Sequence, residues 1–517
     1  MKKIMKYFYI AVIALFLNAC ASDYLDTTPT ASIGTPTVFE TTENAKLAIN
    51  GIAKLMTRQY LSSQGFNGEG TIKMYYGNYS GNHFFVNLPG WAAIINSQYN
   101  ENTASIYLYY PWYYYYMIIG NANAIIVNID QAEGPDSDKQ FIKAQALTYR
   151  AYSFMMLAQI YAYRWKDSNN GASDGLVLRI DQSDGDMPLS TLKDTYDRIY
   201  TDLNEAISLY RESEKDRASG DNYSPSINVA YATYARAALN REDYETAENY
   251  AILARGGYPL MSVADYKNGF CNPTSEWIWS CYGSSDETLY YYSYFAYIAY
   301  TSNASAVRTY PKCISRRLYD QIPETDIRRD LFLDPKEDPY TTSTGRAASG
   351  ALYNRAFATY PDIDAAAHIY AYMQFKVKAN DNPGVGHLNN FRSSEMYLIE
   401  AEAKYFRNNI AGAQEALNEL TADSGRDPQY NCTATGGDLL DEIKRYRAIE
   451  LWGEGFDWFD YKRWGDRIVR HEYAVGGNFI PALATTINPE ENNKWTWRIP
   501  LRETDYNKAI GGALPEN

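Results

Sequence analysis

DEIKRYRAIELWGEGFDWFDYKRWG, residues 441–465, combines two patterns that pull in different directions. Its first half keeps a helical period, with Ile443, Tyr446, Ile449 and then Trp452 or Gly453 recurring every three to four residues. Inside that stripe sit Arg447, Glu450 and Glu454, where an ordinary amphipathic helix carries Leu. Two glutamates four apart on one face repel by about 0.3 kcal/mol, and Arg447 is placed to compensate. The second half (Trp452, Phe456, Trp458, Phe459, Tyr461, Trp464) holds more aromatic side chain than one helix face covers. A large surface must pack on it.

The carboxylates admit two readings. A glycosidase acid/base pair needs two carboxyl groups roughly 5–9.5 Å apart. A structural network instead needs arginines to engage the carboxylates bidentately and lock the helix to its neighbours. The second is favoured, because each carboxylate here has an Arg or Lys within helical reach.

Working outward, the chain opens MKKIMKYFYIAVIALFLNAC. Lys2, Lys3 and Lys6 precede an apolar run, Tyr7 to Leu17, that is too short for a stable span and ends at Ala19-Cys20. This reads as a lipoprotein signal peptide over residues 1–19, with Cys20 as the lipidated first residue and 20–37 as a polar tether. Removing the three lysines moves the formal charge from −14 to −17. That balance argues against nucleic acid and against an anionic membrane surface as partners. Four cysteines remain, Cys271, Cys281, Cys313 and Cys432. Cys271 and Cys281 could bridge, but four in a chain this long make no disulfide framework. His83, His368, His387 and His471 are isolated, so neither a metal site nor a cofactor is expected. Tyrosine is the unusual residue, 50 of 517 with ten tryptophans beside them. An apolar ring with a polar tip suits surfaces that bind flat hydroxylated molecules.

The rest reads as mostly α. Thr41 to Asn44 starts a helix whose Leu47, Ile49, Ile52, Leu55 and Met56 share one side. Residues 61–105 are rich in Gly, Asn and aromatics and show no clear element. Pro111 suits the first turn of the next helix, in which Trp112, Tyr116, Ile119 and Asn123 trace one stripe. Residues 138–163 form the longest helical pattern, with Ala144, Ala151 and Ala158 as a close-packing groove, and 191–210 is helical again. Two short helices, 228–239 and 244–254, carry alanines at 232, 235, 238, 247 and 251, the pattern of a tetratricopeptide-type helix pair. A second copy spans 394–420. Weaker copies pair 138–163 with 191–210 and place 441–464 last. Between the clear pairs, residues 256–390 differ in composition, with the strand-like Glu276–Ser280 and a tyrosine cluster at 289–300.

These pieces together resemble the SusD/RagB family of Bacteroidetes outer-membrane glycan-binding lipoproteins. The matching features are the Cys20 box followed by DYLDTTPT, QALTYRAYSFMMLAQIYAY, the pair at 228–254, SEMYLIEAEA, the run from Arg447 through Trp464, and the terminal R-I-P-L-x-E-T-D. Asp457 and Tyr461 depart from the family pattern, at scaffold positions expected not to bear on ligand choice. The resemblance implies a non-enzymatic surface protein that captures oligosaccharide and hands it to a SusC-like TonB-dependent transporter, anchored to the outer membrane by its N-terminal lipid. It also implies one SusD-like unit over 38–517, with the helical scaffold mainly in 38–260 and 390–465 and variable glycan-facing insertions at about 61–105 and 261–389. A secreted helical glycoside hydrolase using a carboxylate pair is the alternative.

A sugar binder needs an exposed aromatic platform and short polar side chains that donate and accept. Two stretches off the repeats qualify. The first, 75–100, offers Tyr79, Asn82, His83, Trp91 and Asn100; the second, 277–300, offers Trp277, Trp279, Tyr282, Tyr291, Tyr292, Tyr294 and Tyr297. Trp277 and Trp279 fit one face of a core strand as well as a platform. The run Tyr113–Tyr116 can turn only one or two rings the same way at helical spacing and reads as core and half-exposed packing.

Overall fold

The computed structural model describes residues 38–61, 66–285 and 293–510; Cys20, Tyr291 and Tyr292 lie outside them. Helices dominate, and the strands are few and short. α1 (Thr42–Leu55) is capped by Thr41, whose hydroxyl accepts the Asn44 N–H. Its inner side carries Ile49, Ile52 and Met56, while Leu47 faces solvent, contrary to expectation.

α2 (Ile106–Asn128) begins five residues before Pro111, at a Ser105 cap, so Pro111 lies inside the helix. A proline there cannot bond the carbonyl four residues back. That carbonyl, on Tyr107, instead accepts the Tyr76 hydroxyl at 2.6 Å. One residue on, the Tyr161 hydroxyl accepts the Trp112 N–H at 3.1 Å and donates to the Leu108 carbonyl. Two tyrosines thus repair the gap that proline opens.

α3 (Asp136–Tyr161) and α4 (Leu192–Ser213) pack together, as do α5 (Ile227–Asn240) with α6 (Tyr244–Ala254) and α7 (Ser393–Phe406) with α8 (Ile410–Asn418). Each pair also touches the next, so the three pairs stack in chain order. Fully buried alanines at 232, 235, 238, 247 and 251 allow that approach. α9 (Gly436–Glu450) packs on α7, followed by α10 (Asp457–Trp464). A separate apolar cluster, including Leu398, Leu417, Leu439 and Ile443, fills the space between α7, α8 and α9.

Residues 68–79 are a buried helix that periodicity does not reveal; it starts at Gly68 and widens to π-helical over Ile72–Tyr79. It lies against the turn between α9 and α10, where Gly453 and Gly455 both take positive φ. Asn78 clamps that turn, donating to the Gly453 carbonyl at 2.8 Å and accepting the Gly455 N–H at 2.9 Å.

The strands join segments far apart in the chain. β1 (Phe84–Val86) pairs antiparallel with β3 (Lys312–Ile314), Phe85 opposite Cys313. β2 (Trp277–Cys281) pairs antiparallel with β4 (Leu388–Arg392), which leads directly into α7. Trp277 and Trp279 are both buried there, so the core-strand reading holds for them. Cys271, Cys281, Cys313 and Cys432 are buried free thiols.

Candidate functional site

The carboxylates of the opening stretch come first, because a hydrolase would need them. Glu450 and Glu454 are buried in a network whose cations come from distant elements rather than from the same helix. Arg392, at the end of β4, donates to Glu450 Oε1, Glu454 Oε1 and Glu276 Oε1, each at 2.7 Å. Arg328 and Arg426 reach Glu450 Oε2 at 2.9 and 3.1 Å, and Lys376 reaches Glu454 Oε1 at 2.6 Å. Arg447 pairs instead with Asp460 at 2.7 Å, which corrects the pairing with Glu450 and Glu454 expected of it, and Arg463 pairs with Glu402 and, one turn away, with Asp460.

Burial alone would push the Glu450 carboxyl up, but Arg426, Arg392 and Arg328 together hold it well below the usual carboxylate range. Glu454 and Glu276 are lowered by the same balance, burial opposing the attraction of Arg392 with Lys376 for Glu454 and with Arg426 for Glu276. A general acid needs a raised pKa and a free face; these groups have neither. A stability consequence follows. With the folded value below the unfolded one of 4.5, the network's contribution is complete above that pH and is lost as pH falls through the folded values. Glu69 and Asp457, which burial pushes up, contribute with the opposite sign. Urea midpoints are expected to hold down to about pH 5 and then drop, and to drop less steeply in Glu450→Gln.

The two aromatic stretches converge. Tyr75 and Tyr79 stack at 5.8 Å on the buried 68–79 helix, and Trp91 stands edge-on to Tyr75 at 5.0 Å. From the second insertion Tyr297 meets the same group, its hydroxyl 3.2 Å from that of Tyr75 and its ring 6.4 Å from Trp91. Trp91 is the half-exposed member, on a turn whose Pro89 and Gly90 are exposed, and its indole N–H has no partner among the described residues.

The other predicted residues are placed differently. Tyr79 is fully buried, its hydroxyl unpartnered, so it is the bed under Trp91 rather than a platform. Asn82 spends its amide on the Tyr461 hydroxyl at 2.8 Å and its carbonyl on the Val469 N–H at 2.8 Å. Asn100 is buried and tied to Asn492, and its backbone carbonyl accepts the Arg498 N–H at 3.0 Å. Tyr294 is buried with its hydroxyl on the Gly453 carbonyl at 2.5 Å. Exposed contact at Tyr79, Asn100 and Tyr294 is therefore overturned. Their rings and amides hold loops onto the scaffold. Tyr282 stays half-buried, edge-on to Tyr223 at 5.6 Å, beside a cavity of about 60 Å³ that is too small for a sugar ring.

A cleft of about 560 Å³ was not anticipated. Asn82, His83, Trp452, Tyr461 and Trp464 line it with Asp457. His83 Nε2 lies 3.2 Å from the Tyr461 hydroxyl, its Nδ1 3.2 Å from Ser315 Oγ, and its backbone N–H donates to Asp457 at 2.6 Å. Burial lowers the His83 pKa, against the attraction of Asp457. Asp457 and Tyr461, set aside above as scaffold positions, thus border a cleft. Their helical spacing was legible, but its facing partner, the 81–83 turn, was not.

Among the described residues the fold is a helical repeat scaffold carrying aromatic-rich connecting segments, and Glu450, Glu454 and Asp460 of the 441–465 stretch are held in ion pairs. A family profile described as "Starch-binding associating with outer membrane" matches residues 23–239, and the SusD family profile matches residues 238–511. The chain belongs to the SusD family, whose members bind carbohydrate without cleaving it. It is 24% identical to "SusD-like protein P2" of Formosa agariphila, over 89% of this chain and 91% of that one. Among solved structures, a SusD-like carbohydrate binding protein from Bacteroides vulgatus superposes with a TM-score of 0.73 at 22% identity, covering 92% of this chain and 98% of that one. Surface glycan-binding protein A from Bacteroides thetaiotaomicron, solved with laminarihexaose, gives 0.65 at 18% identity, covering 91% and 98%.

Proposed function

We propose that this protein captures glycan at the cell surface and delivers it to a SusC-like TonB-dependent transporter, held at the outer membrane by lipid on Cys20 after removal of residues 1–19. The observation that carries the glycan site is the convergence at Trp91. A half-exposed indole stands on a bed of three buried tyrosines contributed by both insertions. Such a ring is fixed before the ligand arrives, so stacking costs little ordering entropy. Tyr282 and Tyr292 are proposed as further contacts from the second insertion. Anchoring through lipid agrees with the absence, among the described residues, of any helix long and apolar enough to cross a membrane.

Affinity gels with starch, laminarin, xylan and mannan test the reading. Trp91→Ala is expected to weaken retention at least about tenfold, the scale of a principal aromatic contact, with an unchanged melting profile. Retention equal to wild type would show that the site lies elsewhere. For the anchor, Cys20→Ala should shift the protein out of the membrane fraction, and pull-down from solubilised outer membranes should recover a TonB-dependent transporter.

A further inference from the structure

We infer that a second carbohydrate-contact cleft, separate from Trp91, lies along α2 and takes a neutral oligosaccharide segment of about two rings. Its volume is about 450 Å³, within the range of small-ligand sites. One wall is a stripe of tyrosines, Tyr109, Tyr113 and Tyr116, at the i, i+4, i+7 spacing of one helix face. From first to last they span about 10 Å along the axis, enough for two sugar rings laid end to end. The stripe is half-buried, while Tyr114 and Tyr115 between them turn inward to the core.

The facing walls come from the 179–183 loop and from the C-terminal helix Leu501–Tyr506. They bring Arg179, Asp181, Arg502 and Glu503, two guanidiniums and two carboxylates, with Gln182. Formal charge therefore cancels in the cleft of a chain that is strongly acidic overall. Groups that donate and accept without net charge match ring hydroxyls, and aromatic faces match ring C–H surfaces. Under a flat protein surface the same groups would be costly to desolvate. Among the described residues the Tyr113 hydroxyl has no hydrogen-bond partner, and Arg502 pairs with no carboxylate but is engaged by Tyr109, its guanidinium lying 4.6 Å over that ring.

Buried polar residues hold these walls in place. Asn123 donates to the carbonyls of Arg179 and Asp181 at 3.0 and 2.9 Å and accepts from Arg150 at 2.9 Å. Arg150 also donates to the Ile180 carbonyl at 2.9 Å and grips Asp202 through two bonds of 2.7 and 2.8 Å. On the other side Trp112 Nε1 donates to Glu503 at 3.1 Å, and Asn507 exchanges two bonds with Met187 at 2.8 and 3.0 Å. Three segments far apart in sequence thus meet in a preorganised cleft.

This inference rests on the glycan-binding reading above. Its test uses the full-length mature protein, laminarihexaose in calorimetry, and starch, laminarin, xylan and mannan in affinity gels. Tyr113→Ala/Arg502→Ala is expected to weaken retention on whichever polysaccharide the wild type binds by about fivefold, with an unchanged melting profile. Trp91→Ala should leave a residual binding that the added pair of substitutions removes. Unchanged retention in the double variant, or complete loss in Trp91→Ala alone, overturns the cleft and leaves capture at Trp91 standing. If the wild type binds no member of the panel, glycan capture falls and the cleft with it. Unchanged glycan binding together with lost recovery of an outer-membrane partner assigns the cleft to protein docking and likewise overturns it.

Discussion

Replacing Glu450 with alanine is expected to destabilise the protein by about 3–5 kcal/mol, the cost of breaking a buried ion pair from one side. The side chain is wholly buried and holds Arg328, Arg392 and Arg426 at once. Its removal leaves three guanidiniums in a low-dielectric interior, with Glu276, Glu454 and Asp326 to share among them. The network joins α9 to β4 and to the 326–328 and 426 turns, so the loss falls on the junction between scaffold and insertion. Urea unfolding followed by circular dichroism measures it. Glycan affinity of the folded fraction should be unchanged, because no member of the network lies in the Trp91 cluster. A variant as stable as wild type would show that the arginines re-pair freely. A variant that folds fully but no longer binds would return the carboxylates to the ligand site.

Gly77→Ala is expected to cost a comparable amount, about 3 kcal/mol, at the upper end for overpacking a filled site. A β-carbon on Gly77 would stand 2.1 Å from the Gly455 carbonyl oxygen and 2.4 Å from its carbon. Both neighbours are backbone, so no side chain can swing aside. Gly455 itself has a φ of +89° and the same turn is clamped by Asn78, whose amide oxygen accepts the Gly455 N–H at 2.9 Å. Gly51→Ala, in α1 with nothing within 4 Å of the added carbon, is the matched control and is expected to be neutral or slightly stabilising. A melting temperature for Gly77→Ala within a degree or so of wild type would mean that the 68–79 helix shifts as a body; about 1 kcal/mol normally moves the midpoint by a few degrees.

The repeat helices were legible because alanines recur in them at helical spacing and a short polar turn separates the two helices of each pair. The pairs at 228–254 and 394–420 fall within a few residues of α5 to α8. The 68–79 helix was not legible. GEGTIKMYYGNY is buried on every side, so it shows no amphipathic stripe, and its glycines serve close backbone approach rather than a turn. The tyrosine excess was read as a binding surface, yet much of it wires the interior. Tyr76, Tyr110, Tyr116 and Tyr294 donate to backbone carbonyls, and Tyr115 and Tyr152 hold the buried Glu69. Composition counts hydroxyls but does not say what they meet. For the same reason Trp91 kept its candidacy while Tyr79, Asn100 and Tyr294 lost theirs.

In the stretch 441–465 the division is sharpest. Sequence alone carried the helical period of its first half, a favoured structural rather than catalytic part for its glutamates, and the family pattern running from Arg447 to Trp464, because these follow from local period and residue type. Only the tertiary structure decided which cations meet which carboxylates. Arg447 was the neighbour on the helix, but Arg392, Arg328 and Arg426 hold Glu450 and Arg447 holds Asp460. Pairing inside a core depends on which surfaces the chain brings together, here across 24 to 122 residues for Glu450, and helical spacing carries no record of that distance.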